Sequence, residues 1–164
     1  MKMKLYQTKN NIREKTRVAM ITLLNQHLAD GLDLELQAKQ AHWNVKGPNF
    51  IGLHELFDKV AGEVEEFSDE IAERTVQLGG VALGTIQVIR KQSRLAPYPL
   101  NISSGMEHVA ALSSALATFG ASTRAAIDAA AKAGDADTVD LFTEVSRGVD
   151  KLLWFVEAHV QAKE

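Results

Sequence analysis

Apolar side chains recur every three to four residues along four long stretches of the chain, with polar positions between them. No stretch shows the sustained alternation of apolar and polar residues that is typical of a strand. The pattern predicts four long helices, at about 12–41, 52–78, 104–133 and 135–162. Glycines follow the first three of them, as is common at helix ends: Gly47, Gly79 and Gly134.

A long connection, residues 79–103, separates the second predicted helix from the third. Within it, the pattern of residues 84–90 predicts a short extra helix, and residues 95–100 are predicted to be extended. Connections in helix bundles are usually much shorter, but some four-helix bundles contain a long crossover. We therefore predict an all-α four-helix bundle with a short extra helix in the crossover between helices two and three.

The composition is typical of one globular domain. The chain has 164 residues, of which 46% are apolar and 24% charged, so it can bury a sizeable core. It contains no cysteine, which excludes disulfides, thiolate metal sites and a catalytic thiol. The first residues do not resemble a signal peptide, and no segment approaches the length of a membrane span. We expect a protein of the bacterial cytoplasm or nucleoid with no membrane partner.

Charge is distributed unevenly along the chain. The formal net charge is −3, which opposes a general attraction for nucleic acid. Residues 1–17 are nevertheless basic, because they hold a single acidic residue, Glu14, against these bases: Lys2, Lys4, Lys9, Arg13, Lys15 and Arg17. One interpretation is a solvated terminus, and the other is an arm that contacts DNA phosphates through Lys2, Lys4 and Lys9.

Four candidate metal ligands form one stripe along the second predicted helix. With His54 set at zero, Asp58 lies at about 40°, Asp69 at about 60° and Glu73 at about 100° around the helix axis. Apolar residues of the same helix cluster at about −100°. They are Leu53, Phe57, Val60, Val64, Phe67, Ile71 and Leu78. The ligand stripe therefore faces away from the predicted core.

The stripe consists of two pairs that cannot reach each other within one chain. His54 and Asp58 are one helical turn apart, as are Asp69 and Glu73, so each pair can share an ion. The two pairs are separated by about 16 Å along the axis. A second copy of the helix, antiparallel about a two-fold axis near residues 63–64, would bring each pair to the other pair of its partner. His42, at the end of the first helix, could complete each site.

The types of donor atom limit which metals could bind. Imidazole and carboxylate groups without sulfur suit iron, manganese or zinc, and open coordination positions favour redox iron chemistry over a closed structural site. Each pair taken alone is also typical of an ordinary solvated helix face. No histidine has a glutamate three residues before it, which is the motif of di-iron centres inside a single bundle. The pattern therefore favours a site between subunits.

The residues around these ligands resemble the Dps family, the DNA-binding proteins from starved cells or miniferritins. The shared motifs are Ala41-His42-Trp43-Asn44, Gly47, Asn49-Phe50, His54-Glu55, Asp58, Asp69 and Ala72-Glu73-Arg74. Residues 76–85 and 150–155 look like the same family, so the likeness covers nearly the whole chain. It implies one ferritin-like domain over residues 1–164, with a short basic N-terminal arm at about 1–11.

The resemblance also implies an activity. Members of this family form hollow homododecamers that oxidise Fe(II) and store it as a ferric mineral, which protects DNA from oxidative damage. In such an assembly His42, His54 and Asp58 of one chain, with Asp69 and Glu73 of its partner, would be the catalytic ligands of iron. Hydrogen peroxide or oxygen would be the oxidant, and Zn²⁺ would be a competing ion.

Several alternatives stay open at this point. Trp43 would lie beside the site, where it either quenches oxidising equivalents or only packs in the interface. Asp135, Asp137 and Asp140 either line a pore for incoming iron or serve as ordinary acidic residues at a helix N-terminus. The main competing function is a nucleoid-associated protein that binds and compacts DNA non-specifically, and a metal-free helical assembly is a third. The other histidines are expected to be structural or exposed: His27, His108 and His159.

Overall fold

The computed structural model describes residues 4–162 of the chain, so Lys2 lies outside the described residues. The helices in this range are α1 (Glu14–Asn44), α2 (Phe50–Gln77), α3 (Ile86–Gln92), α4 (Gly105–Ala133) and α5 (Ala136–Gln161). No strand forms among these residues, although one isolated bridge pairs Lys46 with Ser104. Four long helices with the short α3 in the crossover confirm the predicted fold class. No helix within the described range is long and apolar enough to span a membrane.

The ends of α4 and α5 follow from local sequence, and they agree with the prediction to about one residue. At the start of α4, the Ser104 side chain and the Glu107 carboxylate form a reciprocal capping box. Gly134 ends α4 with a φ of 79°, a left-handed conformation that glycine adopts without a steric penalty. Asp135 then caps α5 by accepting a hydrogen bond from the backbone N–H of Thr138.

The end of α1 differs from the prediction. The helix continues past Ala41 to Asn44, so His42 lies in its last turn. Asn49, with a φ of 62°, then turns the chain into α2, which begins at Phe50. The apolar period did not reveal this last turn because its side chains are polar or exposed. The longer helix matters because it holds the His42 side chain at a fixed angle to α2.

The core lies between two antiparallel helix pairs. α1 packs along α2 and α4 along α5, and the two pairs meet through contacts of α1 with α4 and of α2 with α5. Phe57, Phe119 and Phe142 are fully buried at the centre. Burial of each such ring contributes about 1.5–3 kcal/mol to the free energy of folding. The apolar stripe of α2 faces this core, as the helical wheel predicted.

Hydrogen bonds to α1 hold the crossover in place. The Arg94 guanidinium donates through Nε and Nη2 to the buried carboxylate of Asp30, and the Arg94 backbone N–H donates to the same group. The Ser93 hydroxyl donates to Asp33, and the Gln26 amide donates to the backbone carbonyl of Gln92. The segment after α3 is therefore attached to the side of α1.

The N-terminal segment lies against the end of α2. The backbone N–H of Tyr6 donates to the Gly79 carbonyl at 2.8 Å, and Arg17 Nη1 donates to the Leu78 carbonyl at 2.8 Å. Gly79 has a φ of 86°, and a Cβ atom there would lie 2.7 Å from the Tyr6 oxygen, so the contact requires glycine. Lys4 Nζ lies 4.6 Å from the centre of the Tyr6 ring. The described part of the basic arm is thus attached to the bundle.

Candidate metal centre

His42 and His54 form a reciprocal pair at the junction of α1 and α2. Nδ1 of His42 donates to the His54 backbone carbonyl, and Nδ1 of His54 donates to the His42 backbone carbonyl, both at 2.8 Å. Their rings are stacked, with centroids 3.7 Å apart and planes 22° apart. Because each Nδ1 carries the proton, each Nε2 keeps a lone pair for a metal ion. The pair is therefore two oriented metal donors held by backbone hydrogen bonds.

Asp58 extends this pair by one carboxylate. It lies one turn after His54 on α2, and its Oδ1 atom is 3.9 Å from Nδ1 of His42. Lys39 Nζ donates to the same oxygen at 2.5 Å. This hydrogen bond lowers the pKa of Asp58, and the positive charge of Lys39 acts in the same direction. Asp58 is thus ionised at neutral pH, half-exposed and able to bind a cation.

Asp69 and Glu73 lie on the same side of α2 as Asp58 but far along the helix. Both side chains are exposed, and neither forms an ion pair with another described residue. Asp69 lines an open groove of about 790 Å³ between α1 and α2, together with Glu35, Glu65 and Glu66. Within residues 4–162 of a single chain, no group of three or more histidine, aspartate or glutamate side chains is placed to hold a metal.

The structure therefore divides the predicted ligand set into two parts. It brings together His42, His54 and Asp58, which we call the imidazole half. It leaves Asp69 and Glu73, the carboxylate half, facing solvent on the same helix face. Trp43, directly after His42, is 65% exposed, and the Phe50 ring lies 5.2 Å from that of His54. Exposed aromatic groups beside a charged half-site are typical of a surface that a second protein covers.

The three candidate pore residues have different environments. Asp135 is only 2% exposed, and its carboxylate accepts from Thr138 and from Arg74 Nη2, the latter at 2.7 Å. Its charge is therefore used inside the subunit, as a helix cap and as half of a buried ion pair. Asp137 is exposed and 3.6 Å from Arg74, and Asp140 is exposed. A role in a pore stays a prediction for all three, and the exposed carboxylates suited to it are those of Asp137 and Asp140.

Two groups near the site were missed by the sequence analysis. Lys39, which reaches Asp58, is one turn before His42 on α1, and that spacing was the only signal available. His108 is buried and lies 2.7 Å from the hydroxyl of Tyr98. The other histidines behave as expected, since His27 is buried among backbone carbonyls and His159 is exposed.

Comparisons with known proteins identify the family of this chain. The family described as the ferritin-like domain matches residues 21–164. The DNA protection during starvation protein of Agrobacterium fabrum is 45% identical over 161 residues, which covers 98% of this chain and 99% of that protein. The protein of the same name from Mycolicibacterium smegmatis is 35% identical over 153 residues, covering 92% of this chain and 82% of that one.

Solved structures give the same result. DpsC from Streptomyces coelicolor superimposes with a TM-score of 0.93 at 30% identity, and the match covers 98% of this chain and 94% of that one. Mycobacterium smegmatis Dps superimposes with a TM-score of 0.91 at 32% identity, covering 96% and 89%. Full-length sequence identity and the shared helix arrangement lead to one conclusion: this chain belongs to the Dps family of ferritin-like proteins.

Proposed function

We propose that this protein oxidises Fe(II) at sites shared between two subunits and stores the product as a ferric mineral. The observation that carries the proposal is the division of the ligands. One face of α2 holds His54 and Asp58, and His42 at the end of α1 completes this imidazole half with its oriented nitrogen lone pairs. About 16 Å further along the same face lies the carboxylate half, which forms no ion pair within the described residues. Neither half is a sufficient site alone, whereas an antiparallel copy of α2 would complete both.

The surface of α2 between the two halves supports this arrangement. The predicted two-fold axis passes near residues 63–64, and Gly62 lies there on the open groove with nothing within 4 Å of the position that a Cβ atom would occupy. A helix from a partner would find room at this point. Leu36 of α1 and Ile86 at the start of α3 are exposed and line a second open groove, and a partner that covers this groove would bury them.

The ligands suit iron as the substrate. In the proposed site His42, His54 and Asp58 of one chain and Asp69 and Glu73 of its partner bind Fe(II) as catalytic ligands. Nitrogen and oxygen donors in this number leave positions for an oxidant. Hydrogen peroxide takes two electrons from two Fe(II) ions and its O–O bond breaks to give two hydroxide ions, so no hydroxyl radical is released. Oxygen is the alternative oxidant, and Zn²⁺ would compete for the same ligands.

The proposal extends from the site to the assembly. Several relatives are named DNA protection during starvation protein, and removal of Fe(II) and peroxide together would serve such protection in a bacterial cytoplasm. We propose a hollow homododecamer with the ferric mineral inside. Iron would enter through a pore near the exposed Asp137 and Asp140.

Direct, non-specific DNA compaction is the second candidate. The names of the relatives favour it, whereas the net charge of −3 and the attachment of residues 4–12 to the bundle oppose it. Lys4 and Lys9 are exposed, but Lys4 packs on Tyr6. A gel shift at rising salt would test this function. Binding at physiological salt that is lost in a Lys4→Gln/Lys9→Gln variant would support it.

The proposed activity is tested by following Fe(II) oxidation by absorbance with peroxide or oxygen as oxidant. Rapid oxidation to a soluble ferric product is expected for the wild type. The His54→Ala/Asp58→Ala variant should oxidise iron no faster than buffer, because one half of each site is lost. His159→Ala, an exposed histidine at the end of α5, is the matched control and should behave as the wild type. A wild type that is no faster than buffer would contradict the proposal.

A further inference from the structure

Tyr98 and His108 form a hydrogen-bonded pair behind the imidazole half. The Tyr98 hydroxyl lies 2.7 Å from Nδ1 of His108, and the ring planes are 17° apart. Tyr98 is half-buried between Pro97 and Pro99, which restrict the backbone on both sides, and His108 is 1% exposed in the first turns of α4. The phenol and the imidazole are thus held in one relative position.

The surroundings of the pair determine which atom carries the proton. Burial raises the pKa of Tyr98 above its ordinary value, so the phenol keeps its proton at neutral pH. Burial lowers the pKa of His108, so the imidazole rests neutral. The backbone of Asn44 also lies near His108 and opposes this shift, although Nε2 makes no well-formed hydrogen bond within the described residues. Tyr98 is therefore the donor and Nδ1 of His108 the acceptor.

The pair is close to the proposed iron site. Asn44, whose backbone lies near His108, is two residues after His42 in the last turn of α1. The Phe57 ring, whose centroid is 6.4 Å from that of His108, directly precedes Asp58 on α2. Oxidation of a phenol at neutral pH requires loss of its proton, and a neutral base in hydrogen-bond contact provides the acceptor.

We propose that Tyr98, with His108 as its proton acceptor, takes up stray one-electron oxidising equivalents that form beside the iron site. The proposal rests on the proposed ferroxidase function, because reaction of a single Fe(II) with peroxide yields Fe(III), hydroxide and a hydroxyl radical. An electron passes from the phenol to the hydroxyl radical, which becomes hydroxide. The phenol proton passes along the hydrogen bond to His108 Nδ1, and the hydroxide takes a proton from solvent to become water.

The same pair can return to its starting state. A second Fe(II) ion reduces the phenoxyl radical and becomes Fe(III), and the proton moves back from His108 to the phenolate oxygen. Together the two steps convert a hydroxyl radical and one Fe(II) into products that cannot damage DNA. Tyr98 gives up the electron and is therefore the redox residue. His108 acts through Tyr98, because it positions the phenol and accepts its proton.

The first test uses iron-free protein, so that its result does not depend on the ferroxidase activity. A photogenerated tris(bipyridine)ruthenium(III) oxidant is used, and tyrosyl radical is followed by absorbance and by electron paramagnetic resonance. The chain has two tyrosines, Tyr6 and Tyr98, so each can be removed in turn. We expect Tyr98→Phe to lose the tyrosyl signal and Tyr6→Phe, the matched control, to keep it. A signal that follows Tyr6, or that survives in Tyr98→Phe, would overturn the proposal.

The role of His108 needs its own variant. In His108→Gln the amide oxygen can accept the hydrogen bond but cannot take a proton, so radical formation should be slower than in wild type. Equal rates would overturn its role as proton acceptor. If this variant does not fold, the wild-type rates in H₂O and D₂O decide, because transfer along the hydrogen bond predicts a slower rate in D₂O and an unchanged rate would contradict it.

The second test adds Fe(II) and a small excess of peroxide to the assembled protein, with rapid freezing. The Tyr98 signal is expected again and should be absent in Tyr98→Phe, which should also accumulate more oxidised protein. If iron is oxidised rapidly without a Tyr98 radical, this proposal fails while the ferroxidase function stands. If iron is not oxidised, the ferroxidase function fails, and the iron-free test still decides whether the pair is redox-active.

Discussion

His54 and Asp58 of the imidazole half lie on the same face of α2 as the carboxylate half, yet the two halves have different surroundings. At the N-terminal end of α2, His54 is stacked on His42, bonded to its backbone, and followed by an Asp58 that Lys39 neutralises. At the C-terminal end, Asp69 and Glu73 are exposed and free of ion pairs within the described residues. Packing of α1 on α2 thus prepares one half, and the other half stays open for a partner.

The electrostatic environments of the two ends differ in the same sense. Near the carboxylate half, burial raises the pKa of Glu70, and the negative charges of Glu144, Glu66, Asp69 and Glu73 raise it further. No described lysine or arginine is paired with Asp69 or Glu73, whereas Asp58 has Lys39. An excess of uncompensated carboxylates favours arrival of a cation, while the oriented imidazoles favour its retention. In a complete site the carboxylate half would attract the metal ion and the imidazole half would help to coordinate it.

The largest expected effect comes from breaking each half in a different chain. His54→Ala/Asp58→Ala and Asp69→Ala/Glu73→Ala should each abolish rapid Fe(II) oxidation when expressed alone. The two variants can be co-expressed with different tags and purified through both tags. If they pair at random, about half of the dimers are mixed, and each mixed dimer contains one complete site of two. About one quarter of the sites then have both halves intact. Recovery of that fraction of the wild-type rate would be measured by absorbance.

Complementation separates a shared site from a site within one chain. A mixed assembly with no activity would contradict a site built from two subunits, provided that each variant still assembles. Size-exclusion chromatography with light scattering checks that condition. Mixing two copies of the same variant with different tags is the control and should give no recovery.

A second prediction concerns the ion pair that attaches α2 to the start of α5 next to the carboxylate half. Arg74 follows Glu73 and is ion-paired with Asp135, and both side chains are nearly buried. Arg74→Ala leaves a buried charge unpaired and should lower the free energy of unfolding by about 3–5 kcal/mol. The exposed pair of Arg124 with Asp150 has the same 2.7 Å distance, so Arg124→Ala should cost less than about 1 kcal/mol.

Urea unfolding at one protein concentration would measure both variants, since assembly makes stability depend on concentration. If Arg74→Ala were as stable as Arg124→Ala, burial would not be the property that separates these two pairs. The ion pair of Arg74 with Asp135 would then contribute little to holding the end of α2.

A smaller effect, on metal affinity, is expected from removing Lys39. The carboxylate of Asp58 would then lack a paired cation, as Asp69 and Glu73 do within the described residues. Lys39→Met removes the cation that a metal must displace from Asp58, so binding of Zn²⁺ or Fe(II) at pH 7 should tighten by roughly 2- to 5-fold. Without this partner the pKa of Asp58 rises toward its ordinary value, so binding should weaken more at acid pH than in the wild type. Anaerobic titration calorimetry would measure this, with Lys59→Met as the control. Weaker binding at pH 7 would show that Lys39 orients Asp58.

The smallest expected effect concerns His27, a histidine buried in the bundle away from both halves. Burial lowers the pKa of His27, although hydrogen bonds to the carbonyls of Leu23 and Ser122 oppose the shift. The unfolded chain takes up this proton as pH falls through about 6.5 while the folded chain resists it, so stability is lost as pH falls below about 6.5. His27→Gln should therefore show a shallower loss of stability between about pH 7 and pH 5.

Urea midpoints at several pH values would measure that slope. His108 also has a pKa lowered by burial, so part of the slope should remain in His27→Gln. A slope identical to that of wild type would mean that His27 does not titrate differently in the folded and unfolded chains.

Much of the fold and part of the site could be predicted from local patterns. The bounds of α4 and α5 were accurate because Ser104, Gly134 and Asp135 act within a few residues of themselves. The end of α1 was predicted too early because its last turn has little apolar signal. Stacking of His42 on His54 could not be predicted, since it depends on how closely α1 packs on α2.

Asp135 shows the same limit. An acidic residue at a helix N-terminus has the same sequence pattern whether it is free or paired. Its partner Arg74 is 61 residues away, and only folding brings the two together. The pairing of Tyr98 with His108 likewise joins the crossover to α4 through a contact that no local period reveals.

The sequence by itself determined the helices, the stripe of ligands on α2 and the separation of its two pairs, because the helical repeat converts spacing directly into direction and distance. Only the tertiary structure decided which nitrogen of each imidazole is free, which carboxylates are already paired and which phenol has a base beside it. Those properties depend on hydrogen bonds between residues far apart in sequence, and such contacts form only when the helices pack.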